Sequence, residues 1–229
     1  MSSGFQTTEE LLSDAIDLMD DHEYGAALPL LTRVVSFEPK NEVAYELWVN
    51  CHFHLERFER VLELADAGLA NGLAPVGLHI AKANVFRVQQ REDEAFLAAR
   101  AALDADPSSP SAILAMIEIA SGSGRTPLVI EHARNYLRLF DKDGEVLYLL
   151  AKAYLEQGDH KRADRAFRDA AEIDPESIDN HVGVLVVANL TGNHEAAVRY
   201  LERLDPELGH EVQDEFERVM GLGPEEDAP

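Results

Sequence analysis

The chain repeats itself every 34 residues. A period of that length leaves few folds open, because each unit is one supersecondary element too small to bury a core alone. Windows opening at Thr8, Glu42, Val76, Pro110, Gly144 and Ile178 follow one another without a gap. Their eighth place reads Ala15, Val49, Ala83, Ile117, Ala151 and Leu185. Their twentieth reads Ala27, Val61, Ala95, Val129, Ala163 and Ala197, and their twenty-fourth Leu31, Ala65, Ala99, Ala133, Phe167 and Leu201. A proline follows an acidic residue near the end of three windows, at Pro39, Pro107 and Pro175.

Each window divides into two helical patterns. In the fifth, Leu147, Leu150, Ala151 and Tyr154 fall at i, i+3, i+4 and i+7, one face of a first helix. Ala163, Ala166, Phe167 and Ala170 do the same for a second. Gly124, Gly158 and Gly192 share the place between the helices, where a left-handed residue ends the first. Small residues at the crossing let the two axes approach. Pro175 lacks an N–H and disfavours α geometry in the residue before it, so the second helix stops there.

This pattern resembles the tetratricopeptide repeat family, whose period is 34 residues. Leu150, Ala151, Tyr154, Gly158, Ala163, Phe167, Ala170 and Pro175 stand at the family's signature places, and the resemblance extends over about residues 8–211. It implies an all-α, right-handed solenoid of six helix-turn-helix repeats at 8–41, 42–75, 76–109, 110–143, 144–177 and 178–211. Residues 1–7 form a lead-in, where Thr7 and Glu10 make a capping box. Leu208, Val212, Phe216 and Val219 have helical spacing, which predicts a capping helix at 207–221 before an acidic, disordered tail at 222–229. The second and fourth windows depart most from the family. Gly68 replaces the usual alanine, and Leu73 and Asp141 replace the proline. Pro206 comes early and shortens the last second helix, and Pro29 falls inside a helix.

Composition narrows the function. With 20 Lys+Arg against 43 Asp+Glu, the formal net charge is −23, which repels nucleic-acid backbones and anionic membranes. Only five cations are lysine, a balance that suits a salt-rich cytoplasm or follows from a GC-rich genome. Cys51 is the single cysteine, so no internal disulfide can form. The start has no basic segment with an apolar run behind it, and no stretch reaches membrane-spanning length. The expected location is the cytoplasm.

Catalytic and metal motifs are missing. There is no phosphate loop, dinucleotide fingerprint, His-Glu-x-x-His or cysteine pair. In Cys51-His52-Phe53-His54 the two histidines fall on different faces of a helix. No enzyme activity, cofactor or metal is expected.

The family resemblance implies that first helices line a concave groove for extended or helical peptides. The ninth place should face it and reads Ile16, Asn50, Asn84, Glu118, Lys152 and Val186. An asparagine amide both donates and accepts, so Asn50 and Asn84 one repeat apart can hold a peptide main chain. With their neighbours the candidate groove is Asn50, Phe53, His54, Asn84, Arg87, Tyr148 and Lys152. Arg87 and Lys152 would favour an anionic side chain or carboxylate on the ligand. The family's carboxylate clamp for chaperone tails is not matched, since Leu12, Glu46, Ala81 and Ala115 occupy places where it needs cations and amides. A second candidate is a convex docking patch of Arg134, Arg138, Lys161, Arg162, Arg165 and Arg168. A solvated face of intrahelical ion pairs is the alternative. Together these features predict a non-catalytic scaffold that binds a segment of a partner protein and leave self-association open. A cytoplasmic chaperone for a secreted protein, or a regulatory subunit of an enzyme or transcription factor, are the other readings.

Overall fold

A computed structural model describes residues 6–222. Thirteen α-helices and no strand are found among them. The fold is thus the all-α, solenoid-class helical repeat that the period predicts. The chain divides into two compact units, residues 1–119 and 120–229. In unit 1, α1 (Thr8–Asp20) pairs with α2 (Tyr24–Phe37), α3 (Glu42–His54) with α4 (Phe58–Ala70), and α5 (Pro75–Val88) with α6 (Glu92–Ala105). Helix α7 (Pro110–Gly122) runs across the boundary. Unit 2 continues with α8 (Thr126–Leu139), and then α9 (Gly144–Glu156) pairs with α10 (His160–Ile173), and α11 (Ile178–Leu190) with α12 (His194–Leu201). Helix α13 (Pro206–Met220) packs on α11.

Local chemistry sets the helix starts. The Thr7 hydroxyl accepts from the Glu10 N–H at 3.2 Å and the Glu10 carboxylate accepts from the Thr7 N–H at 2.8 Å, so the capping box closes. Asn41, Asp143, Asp159 and Ser177 cap α3, α9, α10 and α11 with side-chain oxygens. The ends obey a 34-residue rule as well. His22, Glu56, Gln90, Gly124, Gly158 and Gly192 all have left-handed backbone, with φ between 56° and 75°. Only the last three are glycine. Prolines 39, 107 and 175 follow α2, α6 and α10 by two residues, and Pro29 sits inside α2 on its exposed side.

The repeated apolar places form the cores. All six residues at the eighth place are at most 2% exposed, as are those at the twentieth from Ala27 to Ala163. Ala197 is half-buried, because α12 has only eight residues and buries none of them fully. The departures in the second window are compensated by packing. A methyl at Gly68 would stand 2.7 Å from Leu78 Cδ1 and 2.9 Å from Tyr45 Cε1, so larger neighbours occupy the usual alanine's space. Leu73, in the proline's place, joins Tyr45, Leu64 and Leu78 in that core, where the Tyr45 hydroxyl donates to the Leu64 carbonyl at 2.8 Å.

In unit 2, α13 covers α11 by packing Leu208, Val212 and Phe216 against Val182 and Leu185. Gly221 ends α13 in left-handed geometry. The acidic tail expected at 222–229 falls, from residue 223 on, outside the described residues, as do residues 1–5 of the lead-in.

Candidate functional site

A cleft of about 410 Å³ opens in unit 1 between the first helices of two successive repeats. Helix α3 contributes Glu46, Val49, Asn50, Phe53 and His54, and α5 contributes Gly77, Leu78, Ile80, Ala81 and Asn84. On α3 the spacing is i, i+3, i+4, i+7 and i+8, one helical face. Val49 and Leu78 are buried and form the floor. Because equal places of neighbouring repeats lie side by side, Asn50 and Asn84 come to the same cleft.

Aromatic contacts hold one end. The His54 ring stacks on Tyr24, with centroids 4.2 Å apart and planes within 5°. The Tyr24 hydroxyl lies 3.2 Å from His22 Nδ1. Phe53 meets His54 and Phe58 edge-on at 5.8 Å and 5.7 Å. Phe53 and His54 thus sit in an aromatic group to which α2 contributes Tyr24 and α4 contributes Phe58.

Four of the sequence-selected groove residues, Asn50, Phe53, His54 and Asn84, line this cleft. Arg87 is exposed in the last turn of α5 and is not part of the lining. Tyr148 and Lys152 belong to unit 2, on α9. There the Lys152 ammonium lies 5.3 Å from the Tyr148 ring centre, and Tyr148 meets Phe167 edge-on at 5.9 Å. Burial, with the nearby Asp179 charge, holds the Tyr148 hydroxyl above its ordinary pKa.

Sequence reasoning did not single out Glu46 and Gly77 for the cleft. The Glu46 carboxyl lies directly over Gly77, where an added methyl would stand 2.8 Å from its carboxyl carbon. Burial of the carboxyl and the charge of Glu42 raise its pKa. Only a residue without Cβ at position 77 admits a carboxylate this close to the first turn of α5. Helical spacing marks only half of this pair: Glu46 stands one turn before Asn50 on the same face of α3, whereas Gly77 belongs to the next window.

His52, on a different helix face from His54, belongs to the core. It is only 8% exposed and meets Trp48 edge-on at 5.8 Å, whereas His54 is exposed on another face. Burial first, and then the charges of Arg57 and Arg60, hold its pKa below the ordinary histidine value. Cys51 is fully buried, which pushes its thiol pKa up to about 11 and makes it unreactive.

The three arginines of the proposed patch on α10 pair with nearby aspartates of the same helix and its N-cap. Arg162 pairs with Asp159 at 3.3 Å, Arg165 with Asp169 at 3.9 Å, and Arg168 with Asp164 at 3.0 Å. Arg162 and Arg168 also lie over the Tyr154 and Tyr200 rings. Arg138 donates to Asn135 at 2.7 Å, while Arg134 and Lys161 are exposed. Exposed pairs of this kind contribute little to stability.

Comparison with known proteins places this architecture. A tetratricopeptide repeat profile matches residues 144–177. No curated protein matches the chain in sequence. Among solved structures, PilW, described as a widely conserved type IV pilus biogenesis factor, shares 18% identity at a TM-score of 0.75, covering 95% of this chain and 100% of its own. PilF of Pseudomonas aeruginosa shares 14% at 0.72, covering 91% and 97%. YrrB, described as a tetratricopeptide repeat protein with an unusual peptide-binding site, shares 17% at 0.67, covering 83% and 96%. Likeness at these identities is likeness of fold. Residues 144–177 thus match a tetratricopeptide repeat, and the helix pairs through the described residues have the fold of tetratricopeptide repeat proteins.

Proposed function

We propose that the protein is a non-catalytic scaffold whose α3–α5 cleft holds an extended segment of a partner protein. The observation that carries this reading is the convergence of Asn50 and Asn84 on one cleft beside the apolar surface of Phe53, Ile80 and Ala81. Two amides one repeat apart can each donate to and accept from a peptide main chain, and the apolar wall takes a side chain. The peptide-binding site described for YrrB supports the choice of a peptide as ligand. The acid excess argues against nucleic acid as partner. A cytoplasmic setting belongs to the same reading, since Cys51 is a free thiol. No helix among the described residues is long and apolar enough to cross a membrane.

The test compares wild type with Asn50→Ala/Asn84→Ala as bait in a native extract, after circular dichroism has shown both equally folded. A partner captured by wild type and lost by the variant is the expected result. The same partner captured by both would move binding away from the cleft.

A further inference from the structure

We infer that the α3–α5 cleft selects a cationic residue on its peptide, with Glu46 as the residue that determines specificity. This rests on the peptide-binding reading of the cleft. Glu46 is the one carboxylate in the lining, and the lining contains no lysine or arginine. Among the described residues of unit 1, ion pairs join Arg60 to Glu63, Lys82 to Asp66, Arg91 to Glu94 and Arg100 to Asp104 without involving Glu46.

Lys82, on α5, is turned to Asp66 on α4. Arg87, which from sequence suggested an anionic ligand, lies outside the lining. The charge that a bound side chain meets is therefore negative. It is also costly as it stands, because the carboxyl is partly desolvated over Gly77 and faces the like charge of Glu42. An ammonium or guanidinium from the ligand relieves both penalties, whereas an anion would add to them.

The surroundings fit a lysine or arginine side chain. Ile80 and Ala81 offer apolar surface for its methylene stem, and Asn50 stands one turn along α3 from Glu46 to hold the adjoining main chain. At longer range, the 109 residues before α7 carry 19 acids against 8 Lys+Arg, a field that draws cationic segments in. Glu46 could instead serve only the first turn of α5, whose free N–H groups carry partial positive charge. Stability and binding respond differently to its removal, so the two roles separate.

The experiment selects random linear peptides on the full chain by display, then measures the winners by fluorescence anisotropy. The expected peptides share a lysine or arginine at one place. Replacing it by glutamine weakens binding roughly tenfold, as loss of a charged hydrogen bond should. Glu46→Gln weakens the parent peptide equally, and the two changes together weaken it no further. Glu46→Gln melts at or above the wild-type temperature if its role is in binding, because the unpaired charge is lost, and melts below it if Glu46 serves the first turn of α5. Gly77→Ala, which displaces the carboxyl without removing it, gives the same loss and keeps the test standing if Glu46→Gln folds poorly. Winners without a basic residue that still lose binding in Asn50→Ala/Asn84→Ala overturn the inference about charge and leave the cleft as the site. Winners that bind the asparagine variant as well as wild type, or no enrichment, overturn both.

Discussion

The turns at 34-residue spacing allow a stability prediction free of most packing uncertainty. His22, Glu56 and Gln90 hold φ of 61°, 56° and 58°, the geometry that glycine holds at 124, 158 and 192. Left-handed backbone costs a residue with Cβ about 1–2 kcal/mol. Glycine avoids that cost but loses about 0.5–1 kcal/mol more chain entropy on folding. The difference predicts that His22→Gly, Glu56→Gly and Gln90→Gly each stabilise unit 1 by about 0.5–1 kcal/mol. The sites lie a repeat apart and share no partner, so the triple variant gains roughly 1.5–3 kcal/mol. At His22 the gain is reduced by the exposed hydrogen bond to Tyr24, so His22→Ala is the control that isolates it. The reverse change is cleaner still. A methyl built at Gly124, Gly158 or Gly192 meets nothing within 4 Å, so Gly158→Ala loses stability through backbone strain alone. Urea unfolding followed by far-UV circular dichroism reads both directions. Glycine substitutions that destabilise all three early turns, or a Gly158→Ala variant as stable as wild type, would refute the reasoning.

Two further outcomes are accessible to the same measurements. A methyl at Gly183 would stand 2.7 Å from Phe167 Cγ and closer to the ring edge, and Phe167 is only 2% exposed, so Gly183→Ala should cost about 1–3 kcal/mol despite its better helix propensity. Stability should also fall as pH drops from neutral through the ordinary histidine range. Folding holds the pKa values of His52, His79 and His132 below the ordinary histidine value, chiefly by burial, so the unfolded chain binds protons there first. The raised carboxyl of Glu46 acts in the opposite sense nearer its own range, and His52→Gln should flatten the acid limb of a melting-temperature profile.

The fold was legible because its determinants are periodic. Ala15, Val49, Ala83 and their successors announce one buried stripe, and Gly124, Gly158 and Gly192 announce the turns by residue type. The turns at His22, Glu56 and Gln90 carried no such mark, since those residues reach left-handed backbone only when both flanking helices impose it. Within the candidate site, Asn50 and Asn84 were legible as equal places one period apart. Glu46 over Gly77 was not, because it joins the fifth place of one window to the second place of the next. Arg87 shows the converse: helical spacing put it near the groove, but the lining ends with Asn84. His52 reads as polar in Cys51-His52-Phe53-His54, yet Trp48 and its neighbours bury it.

These differences divide along the chain in a way that bears on function. The repeat at 144–177 matches the family, and its signature residues Leu150, Ala151, Tyr154, Ala163, Phe167 and Ala170 are all buried, so its conformity is a matter of packing. The second window departs at Gly68 and Leu73, and those departures seat Tyr45 and Leu78 in the core beneath the α3–α5 cleft. Gly77, in the first turn of the next window, then admits the Glu46 carboxyl. A stack of near-identical units offers the same surface at every step, so selectivity has to come from places where units differ. Several of the differences meet at the junction of the second and third windows. Restoring the family residue there, with Gly68→Ala, should therefore disturb Tyr45, Leu78 and the cleft floor together. The same substitution at a regular repeat would have stabilised its helix.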